Sequence, residues 1–136
     1  MLYMKPFLSI EPVWQDTDMV EIKVAARSEL FAGGTKVYST YDSLRQFARA
    51  LEKFPRSRSD TQAFETGTQL SSSAAFLLSC RDSAGHIGVM VKMKNESESV
   101  QLQFTAEAAA IDRFQTALLE LCKSETGTAE LEGVDA

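Results

Sequence analysis

Three successive segments near the middle of the chain alternate apolar with polar residues, and they constrain the fold more than any other feature. Their apolar rows are Phe76, Leu78 and Cys80; Ile87, Val89, Val91 and Met93; and Val100, Leu102 and Phe104. A period of two residues places one face of a β-strand in the core. The turns at 82–85 and 95–98 are short, and such turns join antiparallel neighbours. The pattern therefore predicts an antiparallel meander.

The first half of the chain carries weaker forms of the same signal. Residues 19–27 alternate apolar with polar side chains, which predicts a half-buried strand. The apolar residues Leu8, Ile10 and Trp14 predict a strand before it, with residues 15–18 as the turn. Two shorter strands are predicted at residues 36–39 and 63–65.

Two amphipathic segments predict helices. Thr40 is a favourable N-cap for the first helix, and Pro55 lies where that helix should have ended. The apolar face of this helix consists of Leu44, Phe47, Ala48, Leu51 and Phe54. The second helix is predicted from about Glu107 to Lys123, with Thr105 as its cap. Its buried row consists of Ile111, Phe114, Leu118 and Leu121.

These elements predict an α+β fold: an antiparallel sheet of about five to seven strands with two helices packed on one face. With 136 residues the chain has the length of one domain, which we place at residues 1–124. Residues 125–136 contain four acids and no base, and we expect them to form an acidic flexible C-terminal tail. No segment of the sequence repeats another.

Composition bounds the location and the partners of the protein. The sequence has no apolar run near the roughly 20 residues that span a bilayer, and residues 1–11 lack the pattern of a secretory signal. We therefore expect a cytoplasmic protein with no membrane partner and with reduced cysteines. The net charge is −5, but the tail supplies most of it, so it does not indicate a nucleic-acid mimic.

The residues offer little material for catalysis. The only histidine, His86, lies in a predicted turn between Gly85 and Gly88, and the two cysteines, Cys80 and Cys122, are far apart in sequence. We expect no catalytic residue, no cofactor and no metal site. The alternative is a small hydrolase or nucleotide-processing enzyme with an unusual site. Its best components would be His86, Asp82 and Glu65.

Basic residues form the sharpest charged feature. Arg45, Arg49 and Lys53 are spaced by four on the predicted first helix, and Arg56 and Arg58 extend the charge into the next loop. They form either a solvated helix face or a patch for an acidic partner or nucleic acid. Since no aromatic residues are interleaved for base stacking, we expect no nucleic acid. The candidate partner-binding residues are Arg49, Lys53, Arg56 and Arg58.

Residues 19–122 resemble the WapI-type bacterial immunity proteins. The resemblance rests on residues 51–55, on Gly67, on the strand–turn–strand segment 76–91, and on Phe104 leading into a helix with Phe114. It implies a cytoplasmic, non-enzymatic protein that binds and neutralises a cognate protein toxin. Because an exposed edge strand would allow two copies to pair, we expect a monomer or homodimer. The resemblance carries over no functional residue.

Overall fold

The computed structural model describes residues 5–68 and 71–135, and parts of the predicted domain and tail at residues 1–4, 69–70 and 136 lie outside it. Within the described residues the chain forms eight strands and two helices. In chain order they are β1 (Phe7–Gln15), β2 (Val20–Arg27), β3 (Ala32–Ser39), α1 (Tyr41–Ala50), β4 (Thr61–Gly67), β5 (Ser73–Cys80), β6 (His86–Lys94), β7 (Ser99–Glu107), α2 (Ala108–Ser124) and β8 (Ala129–Glu132).

The strands form two sheets. One sheet has the order β3–β2–β1–β8, the other has the order β4–β5–β6–β7, and all neighbours are antiparallel. The predicted α+β class, the two helices and the meander β5–β6–β7 are confirmed. The prediction of one sheet with five to seven strands is wrong, because eight strands form and β3 and β4 lie at the edges of two different four-stranded sheets.

The two sheets are built from two units with the same order of elements. The first unit comprises β1, β2, β3, α1 and β4, and the second unit comprises β5, β6, β7, α2 and β8. In each unit the first three strands form a meander. The last strand of each unit pairs with the first strand of the other unit, β4 with β5 and β8 with β1. The structure therefore contains a repeat that the sequence does not display.

The register makes the two units comparable residue by residue. Val20 lies opposite Ser39 in the first unit, and Ile87 lies opposite Ala106 in the second. The same offset in residue number relates three buried residues of α1 and its C-cap to three buried residues of α2. These pairs are Leu44 and Ile111, Phe47 and Phe114, and Leu51 and Leu118.

Both sheets and both helices share one core. Phe47 of α1 stacks on Phe64 of β4 at 4.7 Å between ring centroids and contacts Phe114 of α2 edge-on at 6.4 Å. The α2 helix packs against β8 of one sheet and β7 of the other. The helices thus contact both sheets, and the prediction that they cover one face of a single sheet is wrong.

The helix termini differ in how well the sequence predicts them. The predicted N-cap Thr40 is confirmed, since its side chain accepts a hydrogen bond from the backbone N–H of Ser43. Thr105 is not the cap of α2, because β7 continues to Glu107 and the helix begins at Ala108. The α1 helix ends at Ala50, several residues before Pro55.

The C-terminal segment is partly a strand. Residues 129–132 form β8, which pairs with β1, and the side chains of Ala129 and Leu131 are fully buried. The expectation that the chain is flexible beyond Ser124 is therefore wrong for this segment. Its acids are compatible with a strand because Glu130 and Glu132 point to the exposed face.

Candidate protein-binding surface

Exposed apolar side chains are concentrated in the first unit. Among the described residues, seven large apolar side chains are exposed: Val13, Trp14, Met19, Leu30, Phe31, Tyr38 and Leu77. All but Leu77 belong to β1, β2, β3 or the turns between them. Aromatic residues clustered at a surface are typical of protein interfaces. The outer face and the two ends of this meander are therefore the candidate functional site.

The first group, which we call the aromatic patch, consists of Val13, Trp14, Met19 and Tyr38. Trp14 and Tyr38 both lie opposite Glu21, and their rings meet edge-on at 6.3 Å between centroids. Trp14 is half exposed, at 50% of its full area. The patch therefore presents two aromatic rings in fixed relation on the outer face of one sheet.

A register shift in β1 exposes Trp14. Leu8 and Ile10 point into the core, and unbroken alternation would point Trp14 the same way. The pairing of β1 with β2 shifts between Pro12 and Trp14, so that Trp14 lies opposite Glu21 on the outer face. Bulges of this kind reorient side chains and are common near functional sites. The strand predicted from Leu8, Ile10 and Trp14 is confirmed as β1, and Trp14 lies on its outer face.

The second group is the tip of the β2–β3 hairpin. Leu30 and Phe31 are exposed at 81% and 66% of their full areas. The turn is held by the N–H of Ser28, which donates to Phe31 O at 2.8 Å, and by the N–H of Phe31, which donates to Ser28 Oγ at 3.2 Å. Two large apolar side chains are thus displayed on a turn with a defined hydrogen-bonded conformation.

The second unit contains the same turn with polar residues. The N–H of Asn95 donates to Glu98 O at 2.9 Å, and the N–H of Glu98 donates to Asn95 Oδ1 at 2.8 Å. By the offset between the units, Ser97 and Glu98 stand where the first unit has Leu30 and Phe31. Since the turn forms without apolar residues, its conformation does not explain why Leu30 and Phe31 are apolar.

An acidic cavity adjoins the aromatic patch. This open depression of about 440 Å³ is lined by the β1–β2 turn, by the start of α1 and by Glu125, and Met19 belongs to both the patch and the cavity lining. Its carboxylates are Asp16, Asp18, Asp42 and Glu125.

Two neutral side chains brace this cavity. Tyr41 donates its hydroxyl to Gln15 Oε1 at 2.5 Å, and Gln15 Nε2 donates to Glu125 Oε1 at 2.8 Å. Burial, with a smaller effect from the charge of Glu125, raises the pKa of Tyr41 above its usual value. The phenol therefore stays protonated and keeps its donor role.

The predicted basic residues lie at the other end of α1. Arg49, Lys53, Arg56 and Arg58 are all exposed, but Lys53 follows the end of the helix in a left-handed conformation with φ 59°. The prediction of one helical stripe that includes Lys53 is therefore wrong. The guanidinium of Arg56 donates to Glu52 O at 2.9 Å, so this side chain also makes a local hydrogen bond within the segment after the helix.

The structure brings together two of the three residues named for an enzyme. His86 Nδ1 lies 2.8 Å from Asp82 Oδ2, and Asp82 Oδ1 also accepts from the N–H of Ala84 at 2.8 Å. Glu65 lies opposite Ala75 on another part of the sheet, two strands away from His86 and toward its opposite end. The His86–Asp82 pair thus lies within one turn, and Glu65 is not part of it.

Acid titration tests what this pair does. The hydrogen bond from His86, followed by that from Ala84, lowers the pKa of Asp82 below 3.8. A carboxyl with a lowered folded-state pKa stabilises the fold above its unfolded-state pKa, and this contribution is lost as the pH falls through the folded-state value.

We expect His86→Ala to raise the pKa of Asp82, as measured by carboxyl carbon NMR. Asp16 is the control, because the N–H groups of Met19 and Asp18 lower its pKa without His86. An unchanged pKa of Asp82 in the variant would contradict the assignment of His86 as the main cause of the lowered pKa.

Other chemistry-bearing residues are dispersed. No group of three or more histidine, cysteine, aspartate or glutamate residues in the two described ranges could hold a metal ion. Cys122 is buried in α2, and burial raises the pKa of its thiol, which disfavours the reactive thiolate. Cys80 lies in β5, where its Sγ contacts Ser57 O at 3.8 Å.

Comparisons with models of known families, with curated proteins and with solved structures give no match. In the described part of the chain, neither helix has the length and apolar character needed to cross a bilayer.

Proposed function

We propose that this protein is a non-catalytic binding module that recognises another protein through the outer surface of its first unit. The observation that carries the proposal is the difference between the two units. Where the first unit has Leu30 and Phe31, the second has Ser97 and Glu98 in the same turn. Where it has Tyr38, the second unit has Thr105 at the equivalent register position. One backbone arrangement thus carries apolar residues on one unit and polar residues on the other.

Exposure of these side chains in water is unfavourable unless a partner covers them. Single exposed apolar residues are common, but clustered aromatic side chains on a rigid scaffold are typical of binding surfaces. Trp and Tyr also contribute more to interface energies than most residues. Both lie on strands that pair with β2, whose alternate side chains are buried in the core, and this keeps the surface preorganised.

The resemblance to WapI-type immunity proteins suggests what the partner is. We propose that it is a bacterial protein toxin and that binding neutralises it by covering its active surface. Such a role needs no bond-making residues in the inhibitor. It also makes the contact surface specific to one partner, so few residues need be shared with other proteins.

Growth protection tests this function directly. The proposal requires a toxin gene next to the gene of this protein. Bacteria would express the C-terminal domain of that toxin, with and without this protein. We expect the wild-type protein to restore growth and to bind the purified domain. Absence of both protection and binding would contradict the immunity role.

Exchanging the hairpin tip tests the surface. The double variant Leu30→Ser, Phe31→Glu gives the first turn the residues of the second and should keep the fold. We expect at least tenfold weaker binding of the toxin domain by calorimetry, since two exposed anchors are lost. Leu77→Ser, an equivalent change on the other sheet, serves as the control. Equal binding by the double variant and the wild type would remove the tip from the interface.

The basic residues predicted from sequence are tested separately. Whether Arg49, Lys53, Arg56 and Arg58 bind a partner stays a prediction. If they do, the double charge reversal Arg56→Glu, Arg58→Glu weakens binding and slows association, because rim charges act mainly on the association rate. The melting temperature should change little, since both side chains are exposed and the hydrogen bond lost from Arg56 to Glu52 O lies at the surface. Association rates that match those of the wild type would exclude this segment from the contact surface.

A further inference from the structure

We infer that the aromatic patch docks a protein segment in which an apolar residue adjoins an arginine or lysine. This inference rests on the proposed function and specifies its partner. The apolar residue would cover Trp14 and Tyr38, and the cation would enter the acidic cavity beside Met19. The argument depends on the charges at the rim of the patch.

Carboxylates dominate one side of the aromatic patch. Asp16, Asp18 and Glu125 line the cavity together with Asp42. Glu21 lies on the strand between Trp14 and Tyr38, opposite both in the register. The N–H groups of Met19 and Asp18 lower the pKa of Asp16, so its charge persists in mildly acidic solution. Apart from Asp42, which pairs with Arg45, the partners that the structure gives these carboxylates are neutral: Asp16 accepts from backbone N–H groups and Glu125 accepts from Gln15. A partner with positive charge on this side would offset the hydration that the carboxylates lose on binding.

Basic residues near the patch do not cancel this charge. Arg45 pairs with Asp42 at 2.7 Å, which leaves the other cavity carboxylates without this cation. Glu11, Lys23 and Lys36 form one cross-strand row on β1, β2 and β3. This row is two residues along β2 from Glu21, toward the centre of the sheet. The two lysines therefore lie on the side of the aromatic patch that is away from the cavity, and the cavity side stays acidic.

The helix dipoles at the cavity oppose each other. The N-terminus of α1 begins at Tyr41, and the C-terminus of α2 ends next to Glu125. These ends carry partial charges of opposite sign, about half an elementary charge each. Their effects largely offset, and the carboxylates therefore determine the sign of the local potential.

The spacing of the acids favours an organic cation over a metal ion. A metal needs several oxygens within about 2.0–2.6 Å of one point. No such group of acids exists among residues 5–68 and 71–135. A guanidinium instead carries five donors spread over a plane and can bond separated acceptors. An open depression of about 440 Å³ also admits a side chain from a partner surface.

A titration with short peptides tests this inference without the toxin. The probes are acetyl-Leu-Arg-Leu-Arg-amide, its glutamine analogue and its glutamate analogue, each added to ¹⁵N-labelled protein. We expect the arginine peptide to shift the Trp14 indole N–H and the amides of Asp18 and Met19, with saturation at millimolar concentration. The glutamine peptide should bind at least fivefold more weakly, and the glutamate peptide should not bind.

Two matched double variants locate the cation. Asp18→Asn, Glu125→Gln should remove the preference for arginine over glutamine and leave Asp16 to hold its turn. Glu96→Gln, Glu98→Gln changes the net charge equally in the second unit and should leave the preference intact. Loss of preference in both variants would indicate a general charge effect and would overturn the inference.

Several outcomes separate this inference from the proposed function. Equal binding of the arginine and glutamine peptides, or chemical-shift changes located elsewhere, would overturn the proposed preference for a cation. The growth assay would still test toxin neutralisation independently. Concentration-dependent self-association that Arg56→Glu, Arg58→Glu abolishes would also overturn it, because the patch would then hold the basic segment of a second copy. Failure of all three peptides to bind would likewise reject it.

Discussion

Leu131→Ala is expected to lower the free energy of unfolding by about 2–5 kcal/mol, the usual cost of removing a buried leucine side chain. Leu131 is fully buried, and it lies opposite Leu8 where β8 pairs with β1. The variant would leave a cavity between the end of the chain and its first strand. Denaturant unfolding followed by circular dichroism measures the change.

The matched control is Leu30→Ala. The same atoms are removed from a side chain that is 81% exposed, so the expected change stays within about 0.5 kcal/mol. A second control, Glu130→Ala, alters the exposed face of β8 and should also have a small effect. If Leu131→Ala were as mild as these controls, the C-terminal segment would not belong to the core.

The C-terminal strand shows where sequence analysis reaches its limit. Residues 129–132 alternate apolar with acidic side chains, but a run of four residues is a weak signal. Their partner, β1, lies at the other end of the chain. Nothing local identifies such a partner, whereas the burial of Ala129 and Leu131 depends on it. Local patterns therefore predicted β2, α1 and the central meander well and missed β8.

The division into two sheets has the same physical origin. Each meander is specified by short turns, such as the turn between β6 and β7 that Asn95 holds. The strands β3 and β4 instead flank α1 and lie at the edges of different sheets, and no short turn specifies this separation. The two-residue period of a strand shows which of its side chains face the core. It does not show which strand lies beside an edge strand. The number of sheets could therefore not be predicted from the sequence pattern.

The candidate surface was missed for a related reason. Trp14, Tyr38, Leu30 and Phe31 are apolar, and apolar residues in or beside strands are normally assigned to the core. Exposure of Trp14 depends on the register shift after Pro12, which only the pairing with β2 reveals. The adjacent apolar residues Leu30 and Phe31 in a hairpin turn were a usable signal, because turns are usually polar.

Trp14→Ala is expected to produce the largest loss of partner binding. Truncation of a central aromatic residue in an interface typically costs at least about 2 kcal/mol, which corresponds to a roughly 30-fold weaker affinity. Trp14 meets Tyr38 edge-on and lies beside Gln15, which bonds Glu125 of the acidic cavity. Its loss would thus remove apolar contact area next to the site proposed for the cation.

The measurement is calorimetric titration of the toxin domain, with the melting temperature recorded for each variant. Because Trp14 is half exposed, its removal should lower stability far less than Leu131→Ala does. Trp14→Phe should retain part of the affinity, since a phenyl ring still packs against Tyr38. Leu77→Ala, on the outer face of the other sheet, should bind like the wild type. Unchanged affinity in Trp14→Ala would exclude the aromatic patch from recognition, whatever the toxin domain proves to be.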